Sequence, residues 1–139
     1  MFKRIMMPVD LAHVDKLSHT MAVASDLARH YGAALTFVGV TSTAPGKVAR
    51  SPQEFGEKLA KFAADQAALN GAETASHVVI SSDPAAELDA ALIKGLGEIA
   101  ADLVVMATHV PNMADMILPS NGGALARHTD VSVFLVRHK

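Results

Sequence analysis

The chain has 139 residues, enough for one ordinary domain with a buried core. Half of the residues are apolar and none is cysteine, so disulfides, thiolate metal sites and thiol nucleophiles are excluded. The formal net charge of −2 gives no electrostatic basis for binding nucleic acid or a membrane surface. No apolar run approaches the roughly 20 residues that cross a bilayer, and we expect a cytoplasmic protein.

The first predicted elements are two buried strands separated by a helix. Residues 5–9 are apolar and few, which is typical of a central strand with no solvent-facing side. A helical stripe of apolar residues then ends at Gly32, and residues 34–40 form a second apolar strand. The stripe consists of Leu17, Met21, Ala24, Ala28 and Tyr31.

The middle of the chain contains a loop, a helix and a third strand. Residues 41–52 are rich in serine, threonine, proline and glycine and predict a long loop. The helix that follows ends at Asn70-Gly71, and residues 77–80 form the third strand. Its apolar stripe consists of Phe55, Leu59, Phe62, Gln66 and Leu69.

A third helix is predicted to begin at Ser82-Asp83-Pro84. Asp83 can cap free amide groups while Pro84 occupies the first helical position. Leu88, Leu92, Leu96 and Ile99 then lie on one helix face. Residues 103–107 form the fourth strand, the clearest in the chain.

The last predicted elements are a short helix and a fifth strand. Ser120 can cap a helix that runs to about residue 128, and residues 131–136 form the strand. Its alternation is partial, which favours a sheet edge or a pairing surface. Because strands alternate with helices throughout, we predict one α/β domain over residues 1–139, with a parallel sheet covered by helices on both faces.

Candidate binding residues follow the predicted strands. In an open parallel sheet, ligands bind beyond the carboxyl ends of the strands, here after Val9, Val40 and Ala107. Asp10 could accept hydrogen bonds from a ribose hydroxyl or a base amine, or it could cap the following loop, and both interpretations stay open. Ser120 begins a helix whose free amides favour an anion, although a plain cap explains it as well. His109 is the one histidine of seven placed to touch a ligand.

Metal and catalytic signatures are not evident in the sequence. The histidine spacing matches no metal motif, and there is neither a GxSxG elbow nor a P-loop lysine beside Ser120. We therefore expect no self-sufficient enzyme, no catalytic residues and no metal without a nucleotide.

The chain resembles the universal stress protein family over essentially its whole length. The segments that carry the resemblance are 3–10 (KRIMMPVD), 82–84 (SDP), 102–109 (DLVVMATH), 118–121 (LPSN) and 126–137 (ARHTDVSVFLVR). No single motif is specific, but their order and spacing together are. The Ser-Asn pair in the fourth segment is similar to a small bacterial subgroup of the family.

The resemblance implies a fold, an assembly and a ligand. The implied fold is adenine nucleotide alpha hydrolase-like, with five parallel strands in the order 3-2-1-4-5. The implied assembly is a homodimer through the last strand (131–136), which has Val131 and Val136 at its ends, and the protein partner is unknown. The implied ligand is an adenine nucleotide, ATP or AMP.

The implied nucleotide contacts fall on ten positions. Asp10 ends the first strand, Pro8 and Val9 lie beside the adenine, and the second-strand backbone contact falls on Val40. Around the fourth strand the contacts are Met106, Ala107, His109, Val110, Ser120 and Asn121.

The sequence departs from the family at its phosphate-binding glycines. The family pattern is Gly, two residues, Gly, nine residues, then Gly-Ser or Gly-Thr. Ala107, Val110 and Pro119 stand in place of the glycines, and the second spacer is one residue shorter. A β-branched residue is poorly suited to positive φ, and proline has no backbone donor.

Two main hypotheses result. The first is a nucleotide-responsive stress-response domain that binds adenine nucleotide weakly, with the adenosine half of the site retained and the triphosphate grip damaged. The alternative is a dimeric interaction module of the same fold that binds no nucleotide. A weak ATPase is ranked last.

Overall fold

The computed structural model describes residues 1–107 and 119–137, with side chains from residue 123 onward in the second range. The elements in chain order are β1 (Arg4–Pro8), a 3₁₀ helix (Leu11–Lys16), α1 (Ser18–Tyr31), β2 (Ala34–Thr41), α2 (Pro52–Asn70), β3 (Thr74–Ile80), α3 (Leu88–Ile99), β4 (Leu103–Ala107), α4 (Pro119–His128) and β5 (Ser132–Val136). The five strands are parallel and lie in the order β3-β2-β1-β4-β5. The predicted fold is confirmed.

The sheet separates two hydrophobic layers. Alternate side chains of a strand point to opposite faces, so Ile5 and Met7 pack under α1 and α2, whereas Met6 packs under α3 and α4. All three side chains are fully buried. Each large apolar side chain buried in this way stabilises the fold by about 1.5–3 kcal/mol. The central strand β1 is therefore apolar on both faces, as its sequence predicted.

Left-handed glycines end the first two helices where the sequence predicted. Gly32 follows α1 with φ of 63°, and Gly71 follows α2 with φ of 71°. At this φ a glycine lacks the Cβ that would crowd the backbone. Helix α3 ends on Ala100 in the same conformation, with φ of 52°.

Three predictions about the helices were wrong or incomplete. Helix α3 begins at Leu88, one turn beyond the predicted start at Pro84, because Glu87 departs from helical geometry with φ of −109° and ψ of 19°. Leu69 was predicted on the apolar stripe of α2, but its side chain is 77% exposed. The 3₁₀ helix after β1 was not predicted. Asp10 begins it by accepting a hydrogen bond from the Ala12 amide.

The residue that immediately precedes β4 is tied to β1, the paired strand most distant from it in sequence. The Asp102 carboxylate accepts hydrogen bonds from the amides of Lys3 and Arg4, at 2.9 and 3.1 Å. The Asp102 amide donates in return to the Arg4 carbonyl at 2.9 Å. These bonds set the register that brings the carboxyl ends of β1 and β4 to the same edge. Among the described residues, no helix is long and apolar enough to span a membrane.

Candidate functional site

A cavity of about 360 Å³ opens at the carboxyl ends of β1 and β2. Its volume is near the lower end of the roughly 300–1,000 Å³ that small-molecule sites occupy. The described residues that line it come from four places, one of which is Phe55 of α2. The other three are larger segments. They are the end of β1 with the residues that follow it, the end of β2 with the loop 42–51, and the turn before α3 with the first half of that helix.

The register of the first two strands builds the floor of this cavity. Pro8 pairs with Val38, and the amide of Val9 donates a 2.9 Å hydrogen bond to the Val38 carbonyl. Val38 and Val40 therefore lie beside Pro8 and Val9, and all four line the cavity. The floor is apolar because both strands are buried on both faces.

Gly39 allows the ring of Phe55 to form part of the wall. A Cβ atom at Gly39 would lie 2.6 Å from Cε1 of Phe55, far inside van der Waals contact. The ring thus packs directly on the backbone of β2. Any residue larger than glycine at position 39 would occupy the space that the ring fills. Phe55 belongs to α2 and lines the cavity from one face of the sheet. Leu88 and Leu92 of α3 line it from the other face.

Asp10 is held in place by its immediate neighbours. One carboxylate oxygen accepts from the Ala12 amide at 3.0 Å, and the other lies 2.8 Å from Nδ1 of His13. About a third of the Asp10 side chain (31%) stays exposed, and the residue lines the cavity. Asp10 therefore caps the 3₁₀ helix, as one interpretation has it. Its carboxylate also lines the cavity, and its contact with a ligand stays a prediction.

The loop 42–51 lies over the cavity and is anchored to α2. The Gly46 amide donates to the Ala49 carbonyl at 2.9 Å, which closes a turn around Lys47. The Val48 carbonyl accepts a hydrogen bond from Nζ of Lys58, which also pairs with Glu54 at 3.4 Å. The sequence predicted a ligand beyond Val40, where this loop begins, but it assigned no residue of the loop 42–51 to the site, because the loop contains no recognisable motif.

The turn before α3 supplies the remaining wall, through Pro84 and Ala85. Asp83 accepts from the Ala86 amide at 3.3 Å, so it caps this turn and not the helix that the sequence predicted at Pro84. The hydroxyl of Ser81 donates to the Glu87 carboxylate at 2.7 Å, and the hydroxyl of Ser82 does so at 2.9 Å. These hydrogen bonds, together with one from the Asp83 amide, hold the pKa of Glu87 below its ordinary value.

The structure brings four of the ten predicted site residues together. Pro8, Val9, Asp10 and Val40 line the cavity. Met106 and Ala107 are buried at the end of β4 and are not among the described residues that line it. The others lie outside the described part of the chain: His109 and Val110 altogether, and Ser120 and Asn121 with their side chains. The nucleotide contacts assigned to these residues stay predictions.

The described residues also bear on metal binding. They contain no group of three or more histidine, aspartate or glutamate side chains placed to hold an ion. Asp10 and His13 lie 2.8 Å apart, but the two of them alone do not form such a group.

A five-stranded parallel sheet with a cavity at the carboxyl ends of its strands defines a doubly wound α/β protein with a ligand-type site. The model of the universal stress protein family matches residues 1–137. The chain therefore belongs to the universal stress protein family. No curated protein matches its sequence.

Solved structures of the family share this fold at low sequence identity. A family member from Burkholderia pseudomallei is 22% identical, with a TM-score of 0.68 over 96% of this chain and 95% of that one. A universal stress protein in complex with cAMP is 20% identical, with a TM-score of 0.69 over 99% of this chain and 98% of that one. The Archaeoglobus fulgidus protein in complex with dAMP is 16% identical, with a TM-score of 0.65 over 96% of each chain.

Proposed function

We propose that this chain is a cytoplasmic stress-response regulator that binds an adenine nucleotide weakly in the cavity between β1, β2 and α3. The observation that carries the proposal is the cavity itself, which combines an apolar floor with the fixed carboxylate of Asp10. A purine ring is flat and largely apolar, and it can be enclosed between aliphatic walls such as Val9, Val40 and Leu88.

Asp10 fits the sugar of such a ligand. An ionised carboxylate has about four acceptor positions, and the Ala12 amide and the His13 ring account for two of them. The remaining positions can accept from two ribose hydroxyls without loss of the local contacts. This use of Asp10 requires no backbone rearrangement, which favours a preformed site.

The family adds independent support. Two of its structures, described above, are complexes with the adenine nucleotides cAMP and dAMP. Binding in this chain would be weak because alanine, valine and proline replace the family's phosphate-site glycines. We propose regulation rather than catalysis. Turnover of ATP that requires a metal and disappears in Asp10→Ala would show instead that the chain is an enzyme.

Two adjacent alanines provide a matched test of the site. Ala85 and Ala86 are both exposed, but only Ala85 is among the residues that line the cavity. Phenylalanine at position 85 fills space that the ligand needs, whereas phenylalanine at 86 points elsewhere. Calorimetry with adenosine, AMP and ATP is expected to show binding at submillimolar to millimolar concentration. Ala85→Phe is expected to weaken it by about tenfold or more, a loss of roughly 1.4 kcal/mol.

The results can also overturn the proposal. A wild-type protein that binds none of the three compounds at millimolar concentration has no nucleotide site. Equal weakening by Ala85→Phe and Ala86→Phe would place the binding elsewhere. GMP serves as the control for the base, and affinity equal to that of AMP would remove the adenine specificity.

A second candidate function is favoured by the edge strand β5. Phe134 and Leu135 are 44% and 41% exposed on neighbouring positions of this strand. Large apolar side chains at a sheet edge are typical of a pairing surface. We propose that two copies of the chain associate through β5, and that this dimer presents the surface for a protein partner. Such a module could act without any nucleotide.

A further inference from the structure

The cavity carries two charged groups of opposite sign. Among the described residues that line it, Asp10 and Lys47 are the charged ones, and the others are apolar or neutral. They belong to different walls, since Asp10 follows β1 and Lys47 lies in the loop after β2. A ligand that spans the cavity would therefore meet a hydrogen-bond acceptor on one side and a cation on the other.

The two charged groups differ in the hydrogen-bond and ion-pair partners that they already have within the chain. Asp10 has partners in Ala12 and His13. Lys47 forms no ion pair or side-chain hydrogen bond with any residue in the described part of the chain. Three other lysines, Lys16, Lys58 and Lys61, pair with carboxylates. The ammonium group of Lys47 is thus available for an anion supplied from outside.

The backbone at Lys47 is held on both sides. The hydrogen bond between Gly46 and Ala49 closes the turn, and Lys58 holds the neighbouring Val48 carbonyl against α2. Ala49 is buried. The lysine stem therefore starts from a fixed position over the cavity, which lowers the entropy lost when its ammonium group engages a ligand.

Resting on the nucleotide function proposed above, we propose that Lys47 binds the phosphate and that the cavity is selective for a nucleoside monophosphate. One ammonium group matches one phosphate group. A cavity of about 360 Å³ suits a ligand of this size. Further phosphates would find no second cation among the described lining residues, and they would add negative charge to a site that already contains Asp10.

The test measures the binding of adenosine, AMP and ATP to the wild-type protein and to three variants. Lys47→Met removes the charge and keeps an unbranched stem, and Lys47→Arg keeps the charge. Lys61→Met is the matched control, because Lys61 is an exposed lysine of α2 that pairs with Asp65. Titration calorimetry at low and moderate salt measures the affinities, and circular dichroism checks that each variant is folded.

The expected pattern is specific to a phosphate contact. Wild type binds AMP about twofold to fivefold more tightly than adenosine, the upper part of the range for one exposed charge pair. ATP gains nothing over AMP. Lys47→Met brings AMP to the affinity of adenosine and leaves adenosine unchanged, while Lys47→Arg and Lys61→Met behave as wild type. Salt weakens AMP binding to wild type and has little effect on Lys47→Met.

Failure of this inference is distinguishable from failure of the nucleotide function. If adenosine and AMP both fail to bind wild type, the nucleotide function is wrong and the role of Lys47 with it. If adenosine binds but AMP binds no more tightly, the nucleoside site stands and the phosphate contact is refuted. Equal losses for adenosine and AMP in Lys47→Met would likewise refute it, because a phosphate contact affects only the phosphorylated ligand.

Discussion

A methyl group at Gly39 should destabilise the fold where α2 packs on β2. In Gly39→Ala the new Cβ would lie 2.6 and 2.8 Å from two ring carbons of Phe55 and 3.2 Å from a methyl of Leu59. Both neighbours are buried, so the ring can move only by displacing other core side chains. Such overpacking costs about 1–3 kcal/mol.

The loss is offset in part by the backbone. Replacing a strand glycine by alanine reduces the entropy of the unfolded chain and recovers about 0.5–1 kcal/mol. Contacts of 2.6 and 2.8 Å place the overpacking cost in the upper part of its range, about 2–3 kcal/mol, so that a backbone gain of about 1 kcal/mol leaves a net decrease in the free energy of unfolding of about 1–2 kcal/mol. With a urea m value of about 2 kcal/mol/M, the midpoint should fall by about 0.5–1 M. Because Phe55 also lines the cavity, the displaced ring should weaken nucleotide binding as well.

Two other glycines serve as controls. A Cβ at Gly56 would meet Val78 at an ordinary 3.5 Å, and one at Gly97 would meet nothing within 4 Å. Both positions are helical, so alanine there should raise the free energy of unfolding by about 0.5–1 kcal/mol. If Gly39→Ala proves as stable as wild type while the two controls gain stability, the Phe55 ring has room to move, and the packing argument fails.

Two further predictions concern acid stability and assembly. The serine hydroxyls hold the pKa of Glu87 below its unfolded value of about 4.3, so this contribution to stability is present above that pH and is lost as the pH falls through the lower folded pKa. Glu87→Gln should therefore reduce the loss of Tm between pH 5 and pH 3, and an unchanged slope would contradict the assignment. Phe134→Glu should convert the proposed dimer to a monomer in light scattering, whereas Leu69→Glu, at an exposed site on α2, should not. A wild-type protein that is monomeric at high concentration would remove β5 as the pairing surface.

Two proline-containing segments show how far helix starts can be predicted from sequence. Both 51–54 (SPQE) and 83–87 (DPAAE) combine a capping residue, a proline and a following glutamate. Ser51 caps the Glu54 amide at 3.1 Å, and α2 begins at Pro52. The Asp83 turn closes in the same way. The Glu87 carboxylate, however, accepts hydrogen bonds from Ser81 and Ser82, and α3 begins only at Leu88. The sequence analysis named Asp83 as a capping residue but placed Ser51 and Pro52 in a loop, so only one of the two caps was predicted. At Asp83 a later side chain, Glu87, decided whether a helix followed directly.

The inner strands β1 and β4 were predicted well because burial on both sides makes them continuous apolar runs. β4 matches its predicted bounds, and the other strands differ by one to three residues at their ends. Exposure of single helix residues was less predictable. Leu69 has the spacing of the α2 stripe, but it lies in the last turn, beyond the area that the sheet covers.

The site was predicted only where strands define it. Asp10 and Val40 were found because ligands bind at the carboxyl ends of parallel strands. Lys47, Phe55 and Ala85 were missed, because their approach to the cavity depends on how a loop and two helices fold back over the sheet. Neither periodicity nor a motif encodes such long-range proximity. A lone lysine in a polar loop gives no signal of its own.

The placement of the cavity has a consequence for how the protein can diversify. Every described residue that lines it lies between Pro8 and Leu92, on the side of the sheet that ends in β3. The edge strand β5 lies on the other side of the sheet, where β4 separates it from β1 and so from the cavity. Substitutions can therefore change the residues that line the cavity while the exposed surface of β5 stays the same. A change in the proposed ligand site need not alter the proposed pairing surface, provided that β1 stays intact.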